Sequence, residues 1–280
     1  HLELSISLSK TNSEVCVCAT DTVAAIAPGF AMLGKKSLET LLEDFSKQTR
    51  TAYFDPHYDE WHKNHQRVDL PTLFEQVSVR FEHEPLISIV CILEDAQHHH
   101  IHDVMNAFLM QSYSKWELIL VNISGDETVA ASLLEVFQDE RMYLVDVDPT
   151  LSRTDKINTA IYTAEGEYVG YLFAHDLIAP NALFECVRTI NQYPTCDMIY
   201  CDSDTVDAQG HHSHPVLRPE FSPELLRSFN YMGNFVLYSE KLLERIGLLD
   251  VTFDGALDYD LNLRASERAR RVCHISRVLC

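Results

Sequence analysis

The sequence predicts an α/β domain built on a mostly parallel sheet flanked by helices, and three observations predict it. Apolar runs of strand length, such as Leu86–Leu93 and Trp116–Asn122, show no polar alternation, which marks strands buried on both faces. Segments of helical periodicity separate these runs, as in sheets whose strands are joined by crossover helices. Polar and mostly acidic residues follow each strand: Glu94/Asp95, Asn122, Asp146/Asp148, His175/Asp176 and Asp202/Asp204. In open parallel sheets ligands bind at those carboxyl ends.

Element by element, residues 1–50 read as a small N-terminal α/β segment. Leu2–Leu8 and Val15–Cys18 are strand-like, Pro28-Gly29 marks a turn, and Leu38, Leu41, Leu42 and Phe45 recur at helical spacing. The chain opens in mid-strand pattern, which predicts a piece of a longer polypeptide. Residues 51–84, rich in aromatics and charges around Pro71, read as a helical connector. The main domain, 85–280, then alternates. Leu86–Leu93 is strand, Asp103–Gln111 helix, Trp116–Asn122 strand, Thr128–Phe137 helix and Met142–Asp146 strand. Lys156–Ala164 is helix, Tyr168–Phe173 strand, Pro180–Asn191 helix and Met198–Asp202 strand. The tail from Phe253 to Leu279 sets Asp258 and Asp260 where a helix begins, with Arg264, Arg268, Arg270 and Arg271 behind them and a strand-like close.

Composition narrows the function. A net charge of −20 argues against nucleic acid and anionic membrane surfaces as main partners, while leaving room for a nucleotide held by local cations or a metal. No apolar run approaches the roughly 20 residues of a membrane span. Eight cysteines lie mostly inside apolar segments with no CxxC pair, which predicts free thiols of a reducing, cytoplasmic compartment. No GxGxxG loop follows the first strand, so a dinucleotide oxidoreductase is disfavoured. Two histidine groups, His98/His99/His100/His102 and His211/His212/His214, lack a carboxylate or cysteine at helix or strand spacing and read as loop residues. The Asp202/Asp204 pair reads foremost as solvated loop acids, since the same spacing recurs at Asp146/Asp148 and Asp258/Asp260.

An ordered series of segments resembles the family 2 glycosyltransferases, over roughly 200 residues from Pro85 onward. It comprises PLISIV, FLMQSYSKWELILV, NTAIYTAEGEYVGYL, LIAPNALFE, DMIYCDSDTVDAQG, RPEFSPELLRSFNYMGNFVLY and the tail DYDLNLR…HISRVL. The branch it is most similar to builds rhamnose-rich, O-antigen and capsular bacterial polysaccharides. The resemblance implies a GT-A nucleotide-diphospho-sugar transferase domain with a small N-terminal α/β extension. It implies an inverting transfer from a nucleotide-diphosphate sugar to a glycan or lipid-linked glycan acceptor, at the inner face of the membrane. A divalent cation, manganese or magnesium, would assist.

Carried over residue by residue, the resemblance makes Asp258 the catalytic base. It places Asp95, Asn122, Arg153, Asp176, Asp202 and Arg218 around the donor, and His175 at a metal-ligand position. Departures fall at the chemistry. The family's PVYN is Ile92, Leu93, Glu94 and Asp95 here; its DD after the second strand is Asn122 and Ile123; its metal-binding DHDD is Phe173, Ala174, His175 and Asp176. From the residues alone, Asp258 also reads as a helix-start acid favoured by the helix dipole. Arg218 reads equally as a loop-capping arginine. The alternative function is a GT-A domain without catalysis, serving as a binding or scaffolding module in a glycan-assembly protein.

Overall fold

A computed structural model describes residues 10–11, 14–15, 56–94, 99–123, 139–207 and 209–280. The chain divides into two compact units, His1–Asp55 and Pro56–Cys280. In the first, β1 (Lys10–Thr11) pairs antiparallel with β2 (Glu14–Val15). The strand expected at Leu2–Leu8, most of that at Val15–Cys18, and the helix expected from Ser37 lie outside the described residues. So does the expected helix Thr128–Phe137.

The second unit opens with two helices, α1 (Pro56–His65) and α2 (Leu70–Ser78). Asp69 caps α2 by accepting from the Thr72 N–H at 3.0 Å, and Pro71 sits in the first turn, where a missing N–H costs nothing. Then come β3 (Ile87–Leu93), α3 (His99–Leu109), β4 (Trp116–Asn122), β5 (Met142–Val145), α4 (Arg153–Tyr162) and β6 (Tyr168–Phe173). They are followed by α5 (Ala182–Gln192), β7 (Met198–Val206), β8 (His212–Val216), α6 (Pro223–Ser228), β9 (Val236–Ser239), α7 (Glu240–Ile246), α8 (Leu257–Arg268) and β10 (Val272–Val278).

One sheet runs β10-β7-β9-β6-β3-β4-β5, with β8 added beside β7. Every pairing is parallel except those of β9 with β6 and β7, and of β8 with β7. The strand period of two divides the core between the faces. Ile87, Ile89 and Cys91 of β3 pack with α3 and α5, while Val90 and Ile92 pack with α4, α7 and α8. Gly170 lets β6 lie between β3 and β9, because a Cβ there would fall 2.7 Å from Leu237 Cδ2 and 2.8 Å from the Val236 carbonyl oxygen. The expected strand Met198–Asp202 is longer in the structure, since β7 continues to Val206 as a hairpin with β8. Cys91, Cys186, Cys196, Cys201 and Cys273 are buried free thiols. Among the described residues no helix is long and apolar enough to cross a membrane.

Candidate active site

Parallel pairing aligns the ends of β3, β4 and β6. Leu93 lies opposite Asn122 and Ile92 opposite Phe173. The ladder runs one step further, with Ile123 N–H donating to the Leu93 carbonyl at 3.0 Å and Ala174 N–H to the Ile92 carbonyl at 3.1 Å. Glu94, Asn122 and Ala174 therefore share one edge of the sheet, and the helices that follow bring charged groups to it.

On the face covered by α4 and α8, Tyr171 and Phe173 point the same way, being two apart on β6. The Tyr171 hydroxyl donates a short hydrogen bond to Asp258 Oδ1 in the first turn of α8. Burial, then the neighbouring Tyr238 and Asp258, push that phenol far above its ordinary pKa, so it stays a donor. Among the described residues no donor is bonded to Oδ2 of Asp258, which is half-buried. One carboxylate oxygen is thus anchored, and the other has no donor among the described residues. The next shell is fixed as well: Tyr238 donates to Asn262 Oδ1 at 2.6 Å, and Asn262 donates to Asn230 Oδ1 at 3.0 Å.

Arg153 opens α4 behind the Ser152 cap, which accepts from the Asp155 N–H at 3.1 Å. Its guanidinium donates to Glu94 Oε1, through Nε at 2.9 Å, stands 5.9 Å from the Phe173 ring centroid and is 4.0 Å from Asp254. Asp258 and Arg153 thus both lie beside the Tyr171–Phe173 end of β6.

A cavity of about 1190 Å³ is lined by α1, α2, the β6–α5 turn, the β7–β8 hairpin and the end of the chain. His175, Asp176 and Arg218 line it; Asp258, Arg153, Asn122 and Asp202 do not. Asp176 accepts from the Phe173 N–H at 3.0 Å and from Asn234 at 3.1 Å. His175 is largely exposed, stacks on Phe173 and holds Nε2 3.9 Å from Asp176 Oδ1. As a metal site this segment is incomplete: the Phe173 and Ala174 side chains offer no ligand atom, which leaves only the side chains of His175 and Asp176 from this segment.

Arg218 spends its guanidinium on the protein. It donates to the carbonyls of Tyr231 at 2.7 Å, Cys201 at 2.8 Å and Val216 at 3.2 Å, and to Ser203 Oγ at 2.9 Å. The side chain packs over Gly233, whose φ of +79° and missing Cβ make the room. Asp202 lies beneath, accepting from the Arg218 N–H at 2.8 Å and from His274 Nε2 at 2.9 Å. The expectation that Asp202 and Asp204 are solvated loop acids is corrected here. Asp202 is 6 % exposed and the Asp204 side chain 5 %, because α1 and β10 cover the hairpin that carries them. Asn122 is half-buried at the end of β4, and Asp95 lies outside the described residues.

Sequence reasoning missed Tyr171 and His274. Tyr171 was findable, since strand alternation puts it on the same face as Phe173, just below the site. His274 carried no such signal; only the pairing of β10 with β7 sets it against Asp202.

A sheet of this strand order, with one antiparallel strand inside a mostly parallel array and polar groups at the carboxyl edge, defines a mixed α/β class of fold. No protein-family model matches the chain. It is 33% identical over 213 residues to the O-antigen biosynthesis protein RfbC of Myxococcus xanthus, spanning 74% of this chain and 16% of that protein. It is 21% identical over 184 residues to the chondroitin synthase of Pasteurella multocida, spanning 65% of this chain and 19% of that one. The chain therefore covers well under a quarter of the length of either relative. Among solved structures it resembles S. aureus TarS 1-349 in complex with UDP-GlcNAc, at a TM-score of 0.57, 15% identity and coverage of 69% of this chain and 57% of that one. It also resembles the mannosyltransferase PcManGT from Pyrobaculum calidifontis in complex with GDP-Man and Mn2+, at a TM-score of 0.51, 16% identity and coverage of 73% and 62%. The chain belongs to the GT-A, family 2-type glycosyltransferases.

Proposed function

We propose that this domain is an inverting glycosyltransferase that moves a sugar from a nucleoside-diphosphate donor to a hydroxyl of a growing bacterial surface glycan. The observation that carries the reading is Asp258, with Oδ1 held by Tyr171 and Oδ2 without a donor among the described residues. The acceptor oxygen attacks the anomeric carbon, its proton passes to Oδ2, and the bond from the anomeric carbon to the diphosphate oxygen breaks with inversion. The diphosphate leaves with the electron pair. Arg153 supplies a cation on that side of β6; a phosphate that draws it from Glu94 exchanges one anionic partner for another.

Asn122 is assigned to the nucleoside end by its place at the end of β4, Asp95 by the motif it occupies in the sequence, and His175 and Asp176 to the cavity side of the donor. Asp202 and Arg218 form the frame on which that side is built. The donor set at His175 and Asp176 does not complete a metal site, so no step here passes through a metal ion. A glycan or lipid-linked glycan is the acceptor class, in keeping with the relatives named above.

Calorimetric titration with uridine, thymidine and guanosine diphosphates, with and without manganese, tests the donor assignment. Binding of one of them is expected, and no binding at millimolar nucleotide refutes the enzyme reading. Asp258→Asn is expected to lower sugar transfer by about 10²–10⁴-fold, the usual worth of a general base, with nucleotide affinity unchanged. Equal loss of transfer and affinity makes Asp258 structural instead.

A further inference from the structure

We propose that His62, Asp204 and His212 form a transition-metal site of the zinc class, joining α1 to the β7–β8 hairpin on the wall of the large cavity. The three residues come from separate elements: His62 from the last turn of α1, Asp204 from β7 and His212 from the first position of β8. Their ligand atoms lie within 4.8 Å of one another. His212 Nδ1 is 2.8 Å from Asp204 Oδ2, and His62 Nε2 is 3.9 Å from the same oxygen. Ligands of a tetrahedral zinc ion stand roughly 3.3 Å apart, given metal–ligand bonds of about 2.0–2.1 Å. The observed spacings bracket that value.

Independent support comes from His62. It is 8 % exposed, yet among the described residues no hydrogen bond reaches either of its ring nitrogens, and Nδ1 is fully enclosed without a partner. Nε2, the nitrogen that faces Asp204, can therefore take a cation without giving up a hydrogen bond.

The surroundings have the character of a second shell. The Tyr58 hydroxyl donates to Asp204 Oδ2 at 2.9 Å, and Asp59 accepts from the His212 N–H at 3.0 Å, which holds the ligand strand against α1. The two imidazole rings are stacked with centroids 3.5 Å apart and planes 16° apart. Parallel rings cannot both aim a lone pair at one ion, so binding requires the rings to turn toward each other and the stack to open. All three residues line the cavity, which leaves a fourth coordination position facing it. Two nitrogens and one carboxylate oxygen suit zinc, with cobalt and nickel as close competitors. The other histidines of the hairpin are engaged elsewhere: His211 with Asp207, and His214 with Ser213. The site shares no residue with His175 and Asp176, and it does not depend on the glycosyl-transfer reading.

The test is zinc titration of the chelator-stripped full chain by calorimetry, with bound metal counted by elemental analysis. One zinc per chain is expected. His62→Ala and His212→Ala are each expected to weaken binding by at least 10-fold, and His175→Ala and His211→Ala to leave it unchanged. Binding that survives His62→Ala or is lost in His211→Ala overturns the proposal, as does the absence of a saturable site in the native chain. Should the alanine variants fail to fold, the native chain titrated with cobalt decides. Intense visible absorption of a four- or five-coordinate ion supports the site, and the weak spectrum of a hydrated ion refutes it.

Discussion

Replacing Asp197 by asparagine removes the charge at the point where β7, α7 and β10 meet. The Asp197 side chain is fully buried, yet Arg270 donates to it from the backbone N–H at 2.8 Å, from Nε at 2.9 Å and from the second guanidinium nitrogen at 2.7 Å. Ser239 adds its hydroxyl at 3.1 Å and Arg245 approaches to 3.4 Å. Burial alone would raise this carboxyl, but the Arg270 and Ser239 bonds outweigh it and hold the pKa at about 2 against an ordinary 3.8. A carboxylate so depressed contributes stability that is fully present above its unfolded pKa and is lost as pH falls through its folded one. The difference is worth about 2.5 kcal/mol at neutral pH, at about 1.4 kcal/mol for each tenfold change in proton affinity. Urea midpoints of native and Asp197→Asn proteins, compared from pH 7 down to pH 2, read this directly. A gap of about 2–3 kcal/mol is expected at pH 7, steady to about pH 4 and shrinking between pH 4 and pH 2. A gap that does not change with pH, or no gap at pH 7, refutes the reasoning; the first outcome assigns the loss to packing, the second denies the network any net worth.

Tyr171→Phe removes the hydroxyl that anchors Asp258 without changing the core volume, so transfer turnover is expected to fall about 10-fold while nucleotide affinity holds. Steady-state kinetics beside calorimetry checks it, and unchanged turnover shows that Asp258 needs no anchor. Gly170→Ala is expected to destabilise the domain by about 1–3 kcal/mol, because the new methyl meets the Val236 carbonyl where β6 is paired on both sides. Thermal melting checks this, and a neutral substitution would mean that β6 and β9 can separate at little cost.

The strands were legible because their chemistry is local. Ile87–Leu93 and Trp116–Asn122 are mostly apolar with no polar alternation, as strands buried on both faces are. The antiparallel β9 escaped, since four residues, Val236–Ser239, carry no direction in their side chains; pairing with β6 and β7 sets it. Helix α3 begins at His99, four residues ahead of the predicted Asp103, because histidines at a helix start give no apolar period to read. Of the site, Asp258 was legible from its motif and its place at a helix start. Its partner was not named, because a hydrogen bond between residues 87 positions apart leaves no mark in either local pattern.

The sequence by itself determined an alternating α/β order, acids at the strand ends and a tail that places Asp258 at the mouth of a helix. Those properties depend on residue type and short-range period, which the chain carries in itself. Only the tertiary structure decided what each polar group faces. It turned Arg218 and Asp202 inward as a frame, left Asp176 tied to its own turn, and set His62 against Asp204 and His212 across 142 and 150 residues of sequence. The physical reason is that a charged or polar side chain withdrawn from water must find its partner wherever the fold delivers one, and the sheet order, not the local sequence, makes that delivery.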